Sequence, residues 1–160
     1  MLNTDPRSPD MDSYASVADL RDLADRRGYE IPDDEKVCEH LLMQAMDYLA
    51  GMKWKGTRAE PKQSLAWPRT GVVVDGATLP GYTVPKSLIQ AQCRLAIEAQ
   101  DTELQPTTAG GAEVLQESVS GAVSITYAEG TSSDPPSFPW LYSLLRGMVV
   151  GFGQVSVVRG

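Results

Sequence analysis

One stretch of the chain gathers residue types that can hold a charged, planar ligand: Lys53, Trp54, Lys55 and Arg58, followed across a loop by Trp67 and Arg69. Indole rings offer faces on which unpaired bases stack, and lysine and arginine neutralise phosphates, so this set suits single-stranded nucleic acid. The same residues have a structural use. Tryptophans around a proline-containing loop, here Trp67-Pro68, fasten such a loop to a core, and Arg69 can cap carbonyls or reach a partner's carboxylate. The structural use is the expected one.

Other chemistry is sparse. His40 is the single histidine, which removes triads and multi-histidine metal sites. Asp33, Asp34 and Glu35 fit the exposed amides of a helix start, so no metal site is expected there. Gly151-Phe152-Gly153-Gln154 lacks the third glycine and the strand-to-helix setting of a dinucleotide loop. Cys38 and Cys93 stand far apart with no CxxC, as buried free thiols of a reducing cytoplasm would. The expectation is a protein without cofactor or metal that is not an enzyme.

The elements that position these residues can be read from periodicity. Ser16-Val17-Ala18-Asp19 is a capping box, followed by the stripe Val17, Leu20, Leu23 and Ala24 and a stop at Gly28. A second helix is expected from Pro32 to about Met52, with Val37, Leu41, Ala45, Tyr48, Leu49 and Met52 inward. Val72-Val73-Val74 reads as a short strand before an Asp75-Gly76 turn. A third helix runs from Thr83-Val84-Pro85 to about Gln100, apolar over so wide an arc that it should be central. β-branched residues on both sides of Ser120-Gly121 argue a hairpin over 112–128, and a last helix spans Phe138 to Arg146. The fold class is therefore mainly α with a small β part: a bundle of three to four helices plus a β-hairpin and an extended C-terminal arm.

At 160 residues this is one domain with appendages. Residues 1–12 form an N-terminal extension, 13–146 a helical domain carrying an inserted loop over 53–83, and 147–160 the arm. The polar opening, broken by Pro6 and Pro9, does not read as a secretory leader, and no apolar run approaches a membrane span. The arm alternates glycine with Val149, Val150, Val155, Val157 and Val158, with Phe152 and Arg159 beside them. It looks like a strand awaiting a neighbouring subunit. Net charge is −7, with 21 acidic against 14 basic residues. On the whole-chain scale that field repels DNA, so no micromolar affinity is expected at about 150 mM salt.

Several runs taken together resemble a known phage family: Trp54-Lys55-Gly56-Thr57-Arg58, then Gln63-Ser64-Leu65-Ala66-Trp67-Pro68-Arg69-Thr70-Gly71, Asp75-Gly76, Val84-Pro85 and Ala91-Gln92. The resemblance spans nearly the whole chain and is to proteins labelled DnaT-like single-stranded-DNA-binding proteins, also described as head-tail adaptor or head completion proteins. It singles out Trp54, Lys55, Gly56, Arg58, Trp67, Pro68 and Arg69 as the family motif that anchors the loop. Two readings come with it. In the first, the chain is a structural virion protein, a connector subunit between portal and tail. Its partners would be the portal protein, a tail, tail-terminator or nozzle protein, and copies of itself in a twelve-fold ring. It would be made in the host bacterial cytoplasm and placed in the virion neck, with double-stranded DNA passing through its acidic lumen unbound. In the second, it binds single-stranded DNA in phage replication through Lys53, Trp54, Lys55, Arg58, Trp67 and Arg69. The connector accounts for more of the residues, through the acidic charge and the arm, and is the expected function.

Overall fold

The computed structural model describes residues 1–105 and 136–150. By contacts the chain divides into two units, Met1–Thr102 with Phe138–Gly160 and Glu103–Ser137, and the architecture below is that of the first. Helix α1, Val17–Arg27, starts with a closed capping box. The Asp19 amide donates to Ser16 Oγ at 3.1 Å, and the Ser16 amide donates to the Asp19 carboxylate at 2.9 Å. The helix stops at Gly28, whose φ of 75° lies in the left-handed region that glycine enters without cost.

Helix α2, Glu35–Ala50, starts later than Pro32 because Asp34 is its N-cap and accepts from the Lys36 amide at 2.8 Å. Of the expected stripe, Leu41, Ala45, Tyr48 and Leu49 are buried, whereas Val37 is 39% exposed; Cys38, Leu42 and Met46 are buried as well, so the inward face is wider than one stripe. A face that wide needs a packing partner along its length.

That partner is α3, Lys86–Glu98, which begins after Pro85 and packs against α1, α2 and the last helix, α4, Pro139–Leu144. Leu88, Ala91, Cys93, Leu95 and Ala96 are buried on it, so the wide apolar arc does mark the central helix. Phe138, the N-cap of α4, sits 5.9 Å from the Tyr48 ring, and Trp140 receives the Arg94 guanidinium over its face at 4.4 Å.

Between α2 and α3 lie two short antiparallel pairs. β1, Thr57–Arg58, pairs with β2, Arg69–Thr70, placing Thr57 opposite Thr70 and Arg58 opposite Arg69. β3, Val73–Val74, pairs with β4, Ala77–Thr78, around Asp75 and Gly76, whose φ values of 52° and 82° are the two positive angles of a type I′ turn. Among the described residues the fold is thus four helices with two small strand pairs, mainly α with a small β part. No helix among them is long and apolar enough to cross a membrane. The expected hairpin over 112–128 lies outside the described residues.

A buried glutamine joins the N-terminal segment to this bundle. Gln92 on α3 is fully buried, and its Oε1 accepts from the Tyr14 and Ala15 amides at 3.0 and 2.8 Å. Its Nε2 donates to Ser13 Oγ at 2.8 Å and to the Leu42 carbonyl at 3.0 Å. Replacing Gln92 with leucine would strand two amides and one carbonyl, each at a cost of about 1–3 kcal/mol. Gln92→Leu should therefore lower the urea-unfolding free energy by at least about 3 kcal/mol. A change below about 1 kcal/mol would mean that water or backbone relaxation satisfies these groups.

Candidate nucleic-acid interface

The two loop tryptophans face each other. Trp67 is fully buried and Trp54 half-buried, with ring centroids 5.6 Å apart and planes at 90°. This is the edge-to-face arrangement that aromatic quadrupoles favour. Both indole Nε1 atoms are buried without a hydrogen-bond partner, so apolar contact and ring geometry hold the pair. Neither face of Trp67 can receive a base.

Arg69 is committed as well. Its Nε donates to the Lys55 carbonyl at 2.7 Å, and its two terminal nitrogens donate to Ala66 at 3.0 Å and Gly56 at 2.8 Å. A planar fork that meets three carbonyls rivets both sides of the loop. Burial lowers the pKa of Arg69, and the neighbouring Arg58 charge adds to that. Gly56 permits the close fit: its φ is 76°, and a Cβ there would lie 2.3 Å from the Thr70 carbonyl oxygen. Trp67 and Pro68 are joined by a cis peptide bond, and Pro68 is buried. Beneath them, burial pushes the Tyr14 hydroxyl up to about 12, opposed by hydrogen bonds from the backbone at Trp67 and Ala66 and by the charges of Arg58 and Arg69.

What remains for a ligand is cationic. Lys53, Lys55, Arg58 and Lys62 are all exposed, and none takes part in the ion pairs of the described residues. Lys53 and Lys55 flank Trp54 on an extended segment, where alternate residues project to opposite sides, so burying Trp54 turns both lysines outward. Arg58 spends one terminal nitrogen on the Gln63 carbonyl at 2.9 Å and keeps its other donors. From 53 to 69 five cations stand against one carboxylate, Glu60, a local +4 that leaves −11 for the rest of the chain.

The structure also gathers residues that sequence reasoning passed over. Arg7, Lys62 and the 70% exposed Tyr82 line one cleft of about 340 Å³. A tyrosine after a glycine in a polar loop carries no periodic signal, and Arg7 lies far away in sequence. Only folding brings them together.

Of the expected arm residues, Val149 and Val150 are described. Trp54 and Val149 form an antiparallel bridge, with the Lys55 amide donating to Met148 at 2.9 Å and the Val150 amide donating to Lys53 at 2.8 Å. Met148 is buried. Met148 and Val150 therefore pair with residues 53–55 of their own chain. Phe152, Val155, Val157, Val158 and Arg159 lie outside the described residues. Cys38 and Cys93 are buried free thiols, and burial, with Asp19 and Asp22 nearby, pushes Cys93 up to about 12, far from a reactive thiolate.

The helical scaffold thus carries an anchored loop with an exposed cationic face. A family model described as "putative DnaT-like ssDNA binding protein" matches residues 2–160, and the chain belongs to that family. No curated protein and no solved structure matches it. The family overturns the expected connector function, with its portal and tail partners, its ring and virion role, and its passage of unbound DNA. The description matches the single-stranded-DNA alternative. The expectation weighed charge summed over the whole chain, whereas five of its 14 cations cluster within residues 53–69.

Two outcomes follow from this geometry. Trp67→Ala should cost about 3–5 kcal/mol, as large-to-small core changes do, measured as a fall in denaturation midpoint. Loss of oligonucleotide binding at unchanged stability would show instead that Trp67 is a stacking platform. The second concerns pH. Cys93 and Tyr14 both have folded-state pKa values raised to about 12, from ordinary values of 9.0 and 10.0. Their neutral forms favour folding, so this stability is intact below about pH 9 and lost as pH rises toward 12. Cys93→Ala should flatten the start of that alkaline decline in thermal melts.

Proposed function

We propose that this protein is a non-catalytic module that binds single-stranded DNA through the exposed cations of residues 53–62. The observation that carries the reading is the division of labour in the loop. Trp54, Trp67 and Arg69 are consumed in anchoring it, and Lys53, Lys55, Arg58 and Lys62 are left facing solvent with no carboxylate ion-pair partner among the described residues. The family description supports the same reading. A single strand suits the charge distribution better than a duplex does. A flexible strand can touch a short +4 patch alone, whereas a stiff duplex carries about one charge per 1.7 Å of axis past the acidic remainder.

Binding should therefore be salt-steep and modest in affinity. Fluorescence anisotropy with a labelled oligonucleotide, titrated between about 50 and 200 mM salt, measures this directly. In Lys53→Ala/Lys55→Ala/Arg58→Ala the slope of log affinity against log salt should shrink by about 0.7 for each phosphate no longer neutralised, roughly 2 in all. A triple variant with the parent slope and affinity would place the strand elsewhere. Failure of the parent protein to bind at about 50 mM salt would remove the function itself.

A further inference from the structure

The cleft beside this patch has a construction that electrostatics alone does not require. One wall is the N-terminal segment with Pro6 and Arg7; the other is the turn with Glu60, Lys62 and Gln63; Tyr82 completes the lining. The N-terminal wall is built rather than draped. The Asn3 amide donates to Asp12 at 2.7 Å, Asn3 Nδ2 donates to Ser8 Oγ at 3.0 Å, and Ser64 Oγ donates to the Met11 carbonyl at 2.5 Å. The opposite wall is equally fixed. The Gln63 side chain accepts from the Glu60 backbone amide at 2.9 Å and donates to Leu65 and Pro68 at 2.8 and 2.9 Å. The chain carrying Tyr82 runs tight against β2, since a Cβ at Gly81 would lie 2.6 Å from Thr70 Cγ2.

Within this frame Tyr82 stands out: it is 70% exposed, whereas Tyr14 and Trp67 are buried. An aromatic ring left in water beside two cations is the arrangement that proteins use to stack an unpaired base while neutralising its flanking phosphates. At about 340 Å³ the cleft lies at the small end of ligand pockets, room for one nucleotide unit. Glu60 disfavours a phosphate inside it and offers an acceptor to the amino groups of a base edge. Arg7 and Lys62 supply the charge for the phosphates, with Arg7 also lying 3.9 Å from the Asp5 carboxylate.

We infer that this cleft is a nucleotide subsite of the single-strand path, in which Tyr82 stacks one extruded base and Arg7 and Lys62 hold the adjoining phosphates. The inference rests on the single-stranded-DNA reading and extends the binding surface beyond residues 53–62 to Arg7 and Tyr82. Tyr82 covers no core, so its replacement should leave the fold intact by circular dichroism. The test is anisotropy with a labelled oligonucleotide on the full chain and on Tyr82→Ala, Tyr82→Phe and Arg7→Ala/Lys62→Ala. Removing one stacked base predicts affinity lower by roughly 5- to 150-fold for Tyr82→Ala with its salt slope unchanged, and near-parent affinity for Tyr82→Phe. The double cation variant should instead show a shallower slope, by about 0.7 per phosphate released. If the parent binds and Tyr82→Ala binds equally well, the subsite is refuted while the function stands. If Tyr82→Phe is as weak as Tyr82→Ala, the ring does not act by stacking and the subsite is again refuted. If the parent does not bind, both fall together.

Discussion

The side-chain amide of Gln92 is the point through which three separate pieces of chain are joined. It sits on the central helix, accepts from two amides of the segment before α1, and donates to Ser13 and to a carbonyl of α2. A buried primary amide is costly unless its donors and acceptor are all used, and here two donors and one carbonyl with two lone pairs are each engaged. The requirement works in both directions. It fixes where the chain enters α1, and hence where Tyr14 reaches beneath the Trp67-Pro68 loop.

From that entry the loop is assembled by interactions of different kinds that converge on the same few residues. The indole pair supplies apolar area, Arg69 ties carbonyls on both sides of the loop, and Gly56 admits a backbone approach that any side chain would block. Residues 148–150 then close the far side by pairing with residues 53–55. Every group with an anchoring task turns inward. The lysines between them are turned outward by the same alternation, so the cationic face is a by-product of burying Trp54.

This geometry changes how the net charge should be read. A value of −7 describes solubility and long-range steering, and it fits an acidic protein that DNA passes without contact. Screening limits such a field to about 8–10 Å at moderate salt, so a strand lying on the loop responds mainly to charges within that distance. On the proposed single-strand reading, the local +4 is the charge a strand on the loop meets, and the remaining −11 is the charge a duplex would have to pass.

Much of the scaffold was legible in the sequence because its causes are local. The capping box of α1, the glycine stop, the Asp75-Gly76 turn and the wide apolar arc of α3 each depend on residues within a few positions of one another. The face of α2 was legible in part: Leu41, Ala45, Tyr48 and Leu49 are buried as their spacing indicates, but that Cys38, Leu42 and Met46 join them while Val37 stays exposed is decided by packing. The site divided the same way. Its cations and tryptophans were visible as a cluster, but which of them anchor and which face solvent depends on partners from Tyr14 to Val149. The Tyr82 cleft could not be read at all, because its walls come from segments separated by more than fifty residues. Sequence determines by itself what neighbouring backbone groups and side chains settle among themselves; burial, pairing and the sharing of one cleft are long-range choices, made only when distant segments compete for the same space.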